Sequence, residues 1–169
     1  MLRRLAGLLG LAALLAFFAA PAAKPADDGV PFPDGYRDWF FVNAMTAGKD
    51  SPVFGGVNAV HLIHVNAKGF ATLKSAGPFP YPDGTIFADE GHDFSVKDGA
   101  TVEGAKQFVT VMVKDSKKYA TTGGWGFQAF AGGDPSKPQI PDTAHAITAC
   151  FVCHSPQAAQ DYVFSTYIP

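Results

Sequence analysis

The chain has 169 residues, of which 47% are hydrophobic, 13% aromatic and 17% charged. Fifteen Phe, five Tyr and two Trp are enough for the core of one domain and exclude wholesale disorder. Thirteen Lys and Arg against 15 Asp and Glu exclude the basic face that nucleic acid or an anionic membrane surface requires, and two cysteines exclude a disulfide scaffold.

The amino terminus reads as an address. Arg3 and Arg4 precede an uncharged apolar run over residues 5–20, followed by Pro21-Ala22-Ala23 and a polar stretch. A basic start, an apolar middle and a small-residue exit make a secretory signal peptide, expected to be cleaved after residues 1–22. The apolar run is short for a spanning helix, and no cysteine follows it to carry a lipid. The exported product is expected in a bacterial periplasm, soluble and without a membrane anchor. It would consist of an extended lead-in, residues 23–35, and a single domain, residues 36–169. Without Arg3 and Arg4 the balance becomes 11 basic against 15 acidic residues, a mildly acidic surface.

Along the domain, Tyr36, Trp39, Phe40 and Val42 lie close to helical spacing, which predicts a helix over residues 35–45. Residues 47–56 read as loop, and the β-branched run 57–65 as a strand. Asn66 is a candidate cap for a short helix ending at Lys74. The proline-rich segment 77–84 must be a turn-rich connection, and residues 85–88 are a short strand. Residues 106–114 give the clearest strand, with Val109, Val111 and Val113 on one face and Phe108, Thr110 and Met112 on the other. A helical turn is expected at 116–119. A strand over 123–130 carries glycines that would let something large and flat approach it. After a loop, 132–141, residues 143–155 have helical composition with Asp142 or Thr143 as cap. The aromatic tail 161–167 is expected to pack back on the body. Short strands with turns and no long crossover helices predict an α+β domain, mainly antiparallel sheet with a few short peripheral helices.

The strong chemical signal is Cys150-Phe-Val-Cys153-His154, which uses both cysteines of the chain. Two thiols one helical turn apart can each add across a vinyl group of a haem, and the adjacent histidine can then ligate the iron. One covalent haem c held by Cys150 and Cys153, with His154 as axial ligand, is therefore expected on the C-terminal helix. An exported CxxC pair also suits a disulfide with His154 incidental. A thioredoxin-like site lacks its βαβ context here, and zinc lacks a second cysteine pair.

Candidate sixth ligands are Met45, Met112, His61, His64, His92 and His145, none in a distinctive motif. Met112 reads as core. His61 and His64, three apart on a strand, face opposite sides, and His92 reads as an exposed loop residue. His145, five residues before Cys150, is placed to fold over the pocket. With no clear sixth ligand the iron is expected to be five-coordinate and open to small molecules. Phe54, Phe79, Phe87, Phe127 and Phe130 are available for an apolar distal wall, with Trp125 beside them.

The blocks Tyr36-Arg-Asp-Trp39, Pro82-Asp-Gly-Thr85, Val111-Met-Val-Lys-Asp115, Gly123-Gly-Trp-Gly-Phe127, the CxxCH box and Asp161-Tyr-Val-Phe-Ser165 together resemble the cytochrome P-460 / cytochrome c′-beta family over residues 36–167. The resemblance implies an antiparallel β fold, often dimeric, one haem c, His154 as proximal ligand and an open distal side. It implies one of two activities. The P-460 type cross-links a lysine to the haem and oxidises hydroxylamine. The c′-beta type has no cross-link, caps the distal pocket with Phe and binds NO or CO. The lysine belongs in the strand after the Asp-Gly-Thr turn, which here reads Thr85-Ile-Phe-Ala-Asp89-Glu90 with no lysine. Asp89 falls at or near its place, and Lys74 and Lys97 only flank it.

The expectation is thus an exported haem c protein that binds or processes small nitrogen-oxide-type ligands, NO or CO. Phe87, Trp125 and Phe127 are the candidate distal lining, and Asp89 and His145 a polar distal pair for proton transfer. The alternatives are oxidation of hydroxylamine or use of peroxide, and electron transfer to a redox partner.

Overall fold

The computed structural model describes residues 29–51 and 58–168; the expected signal peptide, residues 23–28 of the lead-in and Phe54 lie outside them. Five strands form one antiparallel sheet in sequential order: β1 (Phe40–Ala47), β2 (Ala59–Val65), β3 (Ile86–Lys97), β4 (Ala100–Lys114) and β5 (Trp125–Ala131). Helix α1 (Ala67–Ser75) links β2 to β3. The C-terminal helical segment comprises α2 (Thr143–Ala146), a π-helical turn (Ile147–Phe151), α3 (Val152–His154) and a 3-10 turn (Ser155–Gln160). This is the expected α+β architecture.

Register separates the sheet into two faces. On one, Val65, Phe87, Met112 and Phe127 form a cross-strand row, and Ile63, Asp89, Thr110 and Ala129 form the next. This face, α1 and the C-terminal segment enclose a core around Trp125, Phe127, Tyr81, Phe87, Leu73 and Val163. On the other face, Val109, Val111, Ala88 and Phe130 pack against Val30, Tyr36 and Tyr119. The alternation expected for residues 106–114 is therefore observed, with Met112 packed against the first core.

Local chemistry explains most boundaries. Asn66 caps α1 by accepting the Gly69 N–H at 3.1 Å, a contact worth about 1 kcal/mol. Asp142 caps α2 by accepting the His145 N–H at 2.9 Å. The glycines of β5 and its approach make room for this chain's own aromatics. A Cβ on Gly126 would lie 2.4 Å from the Tyr119 ring, and one on Gly123 would lie 2.1 Å from the Tyr162 ring.

Three expectations are corrected. Residues 35–45 are not a helix: a 3-10 turn (Tyr36–Asp38) leads through extended Trp39 into β1. A bulge between Phe41 and Asn43 shifts the faces there, and the resulting apolar spacing imitates a helix. The short strand at 85–88 is the start of a twelve-residue strand, paired with a β4 that begins six residues earlier than expected. Asp98 and Gly99, both at positive φ (53° and 80°), close this hairpin as a two-residue turn. His92 is buried, not exposed. Its Nε2 lies 2.5 Å from Glu90, and its Nδ1 lies 3.0 Å from Glu103.

Candidate cofactor site

The CxxCH box spans the junction of the π turn and α3. Cys150 lies within the π turn, half-buried against the first core, and Cys153 lies on α3, exposed. π turns inside helices recur at functional sites, because the extra residue re-aims side chains. Here the turn follows α2, whose Ala146 is buried in the core, and precedes a single turn carrying Cys153 and His154.

His154 is held on three sides. Its Nδ1 lies 2.8 Å from the Tyr162 carbonyl oxygen. A carbonyl only accepts, so Nδ1 carries the proton and Nε2 keeps its lone pair. The rings of Phe127 and Phe164 flank it, with centroids at 5.2 and 5.0 Å. Burial pushes the imidazole pKa below the ordinary histidine range, offset in part by the Tyr162 hydrogen bond. A neutral, oriented imidazole is the form that binds a metal.

The donor set fits a haem. Two thiols three residues apart and the lone pair of an adjoining histidine are presented beside a sheet face with half-buried Ile63, Asp89, Thr110, Met112 and Ala129. Among the described residues, no group of three or more His, Cys, Asp or Glu comes together as a metal site.

The other predicted site residues are distributed unevenly. Phe127 lies against His154 itself, with ring centroids 5.2 Å apart. Phe87 and Trp125 each meet the Tyr81 ring edge-on in the core, and Trp125 is fully buried. Asp89 is on the sheet face, and its Oδ2 accepts from His61 Nδ1 at 2.7 Å. His145 is exposed on α2, with its ring on Asp142 at 2.8 Å. Asp89 is therefore partnered by His61. Lys74 and Lys97 lie exposed at the ends of α1 and β3. His64 faces away, against Tyr36 and Phe41, so the opposite orientation expected of His61 and His64 is observed.

Sequence reasoning missed the His61–Asp89 pairing. On β2 and β3, His61 is opposite Gly91 and Ile63 opposite Asp89, so the two polar side chains meet diagonally on one face. Asp89 Oδ1 is buried with no hydrogen-bond partner among the described residues. Only the register reveals this pair, because its partners lie 28 positions apart on neighbouring strands.

A family model described as Cytochrome P460 matches residues 33–165, which take in the CxxCH box and all five strands. None of the curated proteins compared with the chain matches it. The match covers most of the sequence: the chain belongs to the cytochrome P460 family of haem proteins.

Proposed function

We propose that this is an exported haem c protein whose iron binds small nitrogen-oxide-type ligands such as NO. The observation that carries the reading is the His154 geometry: Nδ1–H on the Tyr162 carbonyl and Nε2 bare, next to two cysteines at haem-attachment spacing. In this reading Cys150 and Cys153 hold the haem through thioether bonds and His154 supplies the axial nitrogen. Bound there, the haem supplies an iron able to take a diatomic or small nitrogenous ligand. Phe127 and Phe164 hold the imidazole plane and keep water from it.

A second reading, oxidation of hydroxylamine or use of peroxide, is favoured by one observation. The His61–Asp89 pair places a proton carrier and a buried carboxylate oxygen on the sheet face. His61 Nδ1–H donates to Asp89, and Asp89 Oδ1 is left as an acceptor for an N–H or O–H of a ligand. Against this reading stands the strand at residues 85–90, which has no lysine to cross-link.

The test is the optical spectrum of the protein purified after export with haem-attachment machinery. A high-spin ferrous spectrum that shifts with NO and CO supports the first reading. A low-spin, six-coordinate spectrum insensitive to both gases overturns it. Turnover of hydroxylamine with an electron acceptor, lost in Asp89→Asn, would move the account to the second.

A further inference from the structure

We propose that Lys114 and Asp161 are positioning residues for His154. They form a buried clasp that fixes the Tyr162 carbonyl and through it the tautomer and orientation of the imidazole. The inference rests on the reading of His154 as a metal ligand, but it concerns atoms of this chain alone.

After the 3-10 turn Ser155–Gln160, the chain makes two consecutive residues in the left-handed region, Asp161 (φ 51°) and Tyr162 (φ 67°). Neither is glycine, and for side chains with a Cβ this conformation is unfavourable unless the surroundings over-determine it. The surroundings do so from three directions. Lys114, at the end of β4, places Nζ 2.7 and 2.8 Å from the two carboxylate oxygens of Asp161, with both side chains almost fully buried. The Tyr81 N–H, from the proline-rich connection, donates to Asp161 Oδ2 at 2.8 Å. The Trp125 indole N–H, at the start of β5, donates to the Asp161 carbonyl at 2.8 Å. Lys114 Nζ also donates to the Gly123 carbonyl at 2.9 Å and lies 5.0 Å from the Trp125 ring centroid. Gly123, which leaves no Cβ in the way, lets the Tyr162 ring lie against the chain there.

The next peptide carbonyl after this pinned corner is that of Tyr162, the acceptor for His154 Nδ1–H. The histidine ends the short α3 turn, and its ring direction is therefore set by the sheet and not by the helix that carries it. A buried ion pair is a poor way to gain stability, because removing both charges from water costs about as much as their attraction returns. Its use here is geometric. A fixed acceptor on Nδ1 keeps the proton there, keeps Nε2 bare, and raises the donor strength of the imidazole.

The test uses two variants. Lys114→Met/Asp161→Asn removes both charges together and retains volume and a residue tolerant of the left-handed region. Trp125→Phe removes only the indole donor. In the haem-bearing ferrous protein, the iron–histidine stretching frequency should fall in both variants, more in the double variant, and the reduction potential should rise. Tyr162→Phe, which keeps the carbonyl, should change neither. If the wild-type protein as purified carries no haem, the functional reading fails, and nitrogen-15 NMR of that same protein decides the clasp. His154 should then be protonated on Nδ1 in the wild type and gain the Nε2–H tautomer in the variants. Folded variants with unchanged stretching frequency, potential and His154 tautomer would overturn the proposal.

Discussion

Replacing Glu90 by Gln should cost the protein about 3 kcal/mol at neutral pH, with a pH dependence that identifies the cause. The Glu90 side chain is fully buried on the sheet face away from the CxxCH box. Burial alone would raise its pKa. Hydrogen bonds from Tyr36, His92 and Lys106, with the charge of Lys106, overcome this and pull it down to about 2. Four donors surround the carboxylate: the Tyr36 hydroxyl at 2.5 Å, His92 Nε2 at 2.5 Å, Arg37 Nη1 at 2.8 Å and Lys106 Nζ at 3.1 Å. A fall from an ordinary 4.5 to about 2 corresponds to about 3 kcal/mol, since each tenfold change in proton affinity is about 1.4 kcal/mol. A carboxylate whose pKa is depressed in the folded state contributes stability fully above pH 4.5, and loses it as pH falls toward 2. Urea unfolding of wild type and Glu90→Gln between pH 7 and pH 3 reads this directly. The difference should be about 3 kcal/mol at pH 7 and less than half of that at pH 3. A difference below about 0.5 kcal/mol at pH 7, or one that does not shrink with acid, would refute the reasoning. The visible spectrum of the variant should match the wild type, because the cluster lies on the opposite face of the sheet.

Other substitutions probe other parts of the structure. His64 is buried, with Nδ1 lacking a partner among the described residues, and burial lowers its pKa. The unfolded chain therefore takes up its proton first, and stability falls as pH drops through about 6.5. His64→Phe should lose less stability than wild type between pH 7.5 and pH 5 in denaturant titrations. Gly91→Ala would place a Cβ 2.0 Å from the Phe108 ring, which itself lies 5.6 Å from the His61 ring. A destabilisation of about 1–3 kcal/mol should appear in thermal melts, as Phe108 is displaced. Phe127→Ala removes a buried ring from against His154 and should cost about 3–5 kcal/mol, measured by urea unfolding.

The sequence carried the fold wherever burial leaves a period or a cap leaves its residue. Residues 106–114 alternate because Val109 and Val111 are buried on one side and Met112 meets the core on the other. Asn66 and Asp142 mark helix starts because their side chains bond the first-turn N–H groups. The far half of the β3–β4 hairpin left no such trace. Residues 95–105 are exposed, so nothing selects an alternating pattern, and only Asp98-Gly99 announces the turn. His92 looked like a loop residue because its neighbours are Asp, Glu and Gly, yet Glu90 draws it inward. For the proposed site, Cys150, Cys153 and His154 stand out in the sequence because the haem attachment proposed for them demands a local spacing. The clasp on Tyr162 and the His61–Asp89 pair were not, because 47 residues separate Lys114 from Asp161 and 28 separate His61 from Asp89.

The most direct test of the central claim is the intact mass, under denaturing conditions, of protein exported by cells that attach haem. The account predicts the polypeptide plus one haem that survives denaturation and acid extraction. It also predicts that Cys150→Ala/Cys153→Ala yields the bare polypeptide. A wild-type mass equal to the polypeptide alone, or lower by the two hydrogens of a Cys150–Cys153 disulfide, would contradict it.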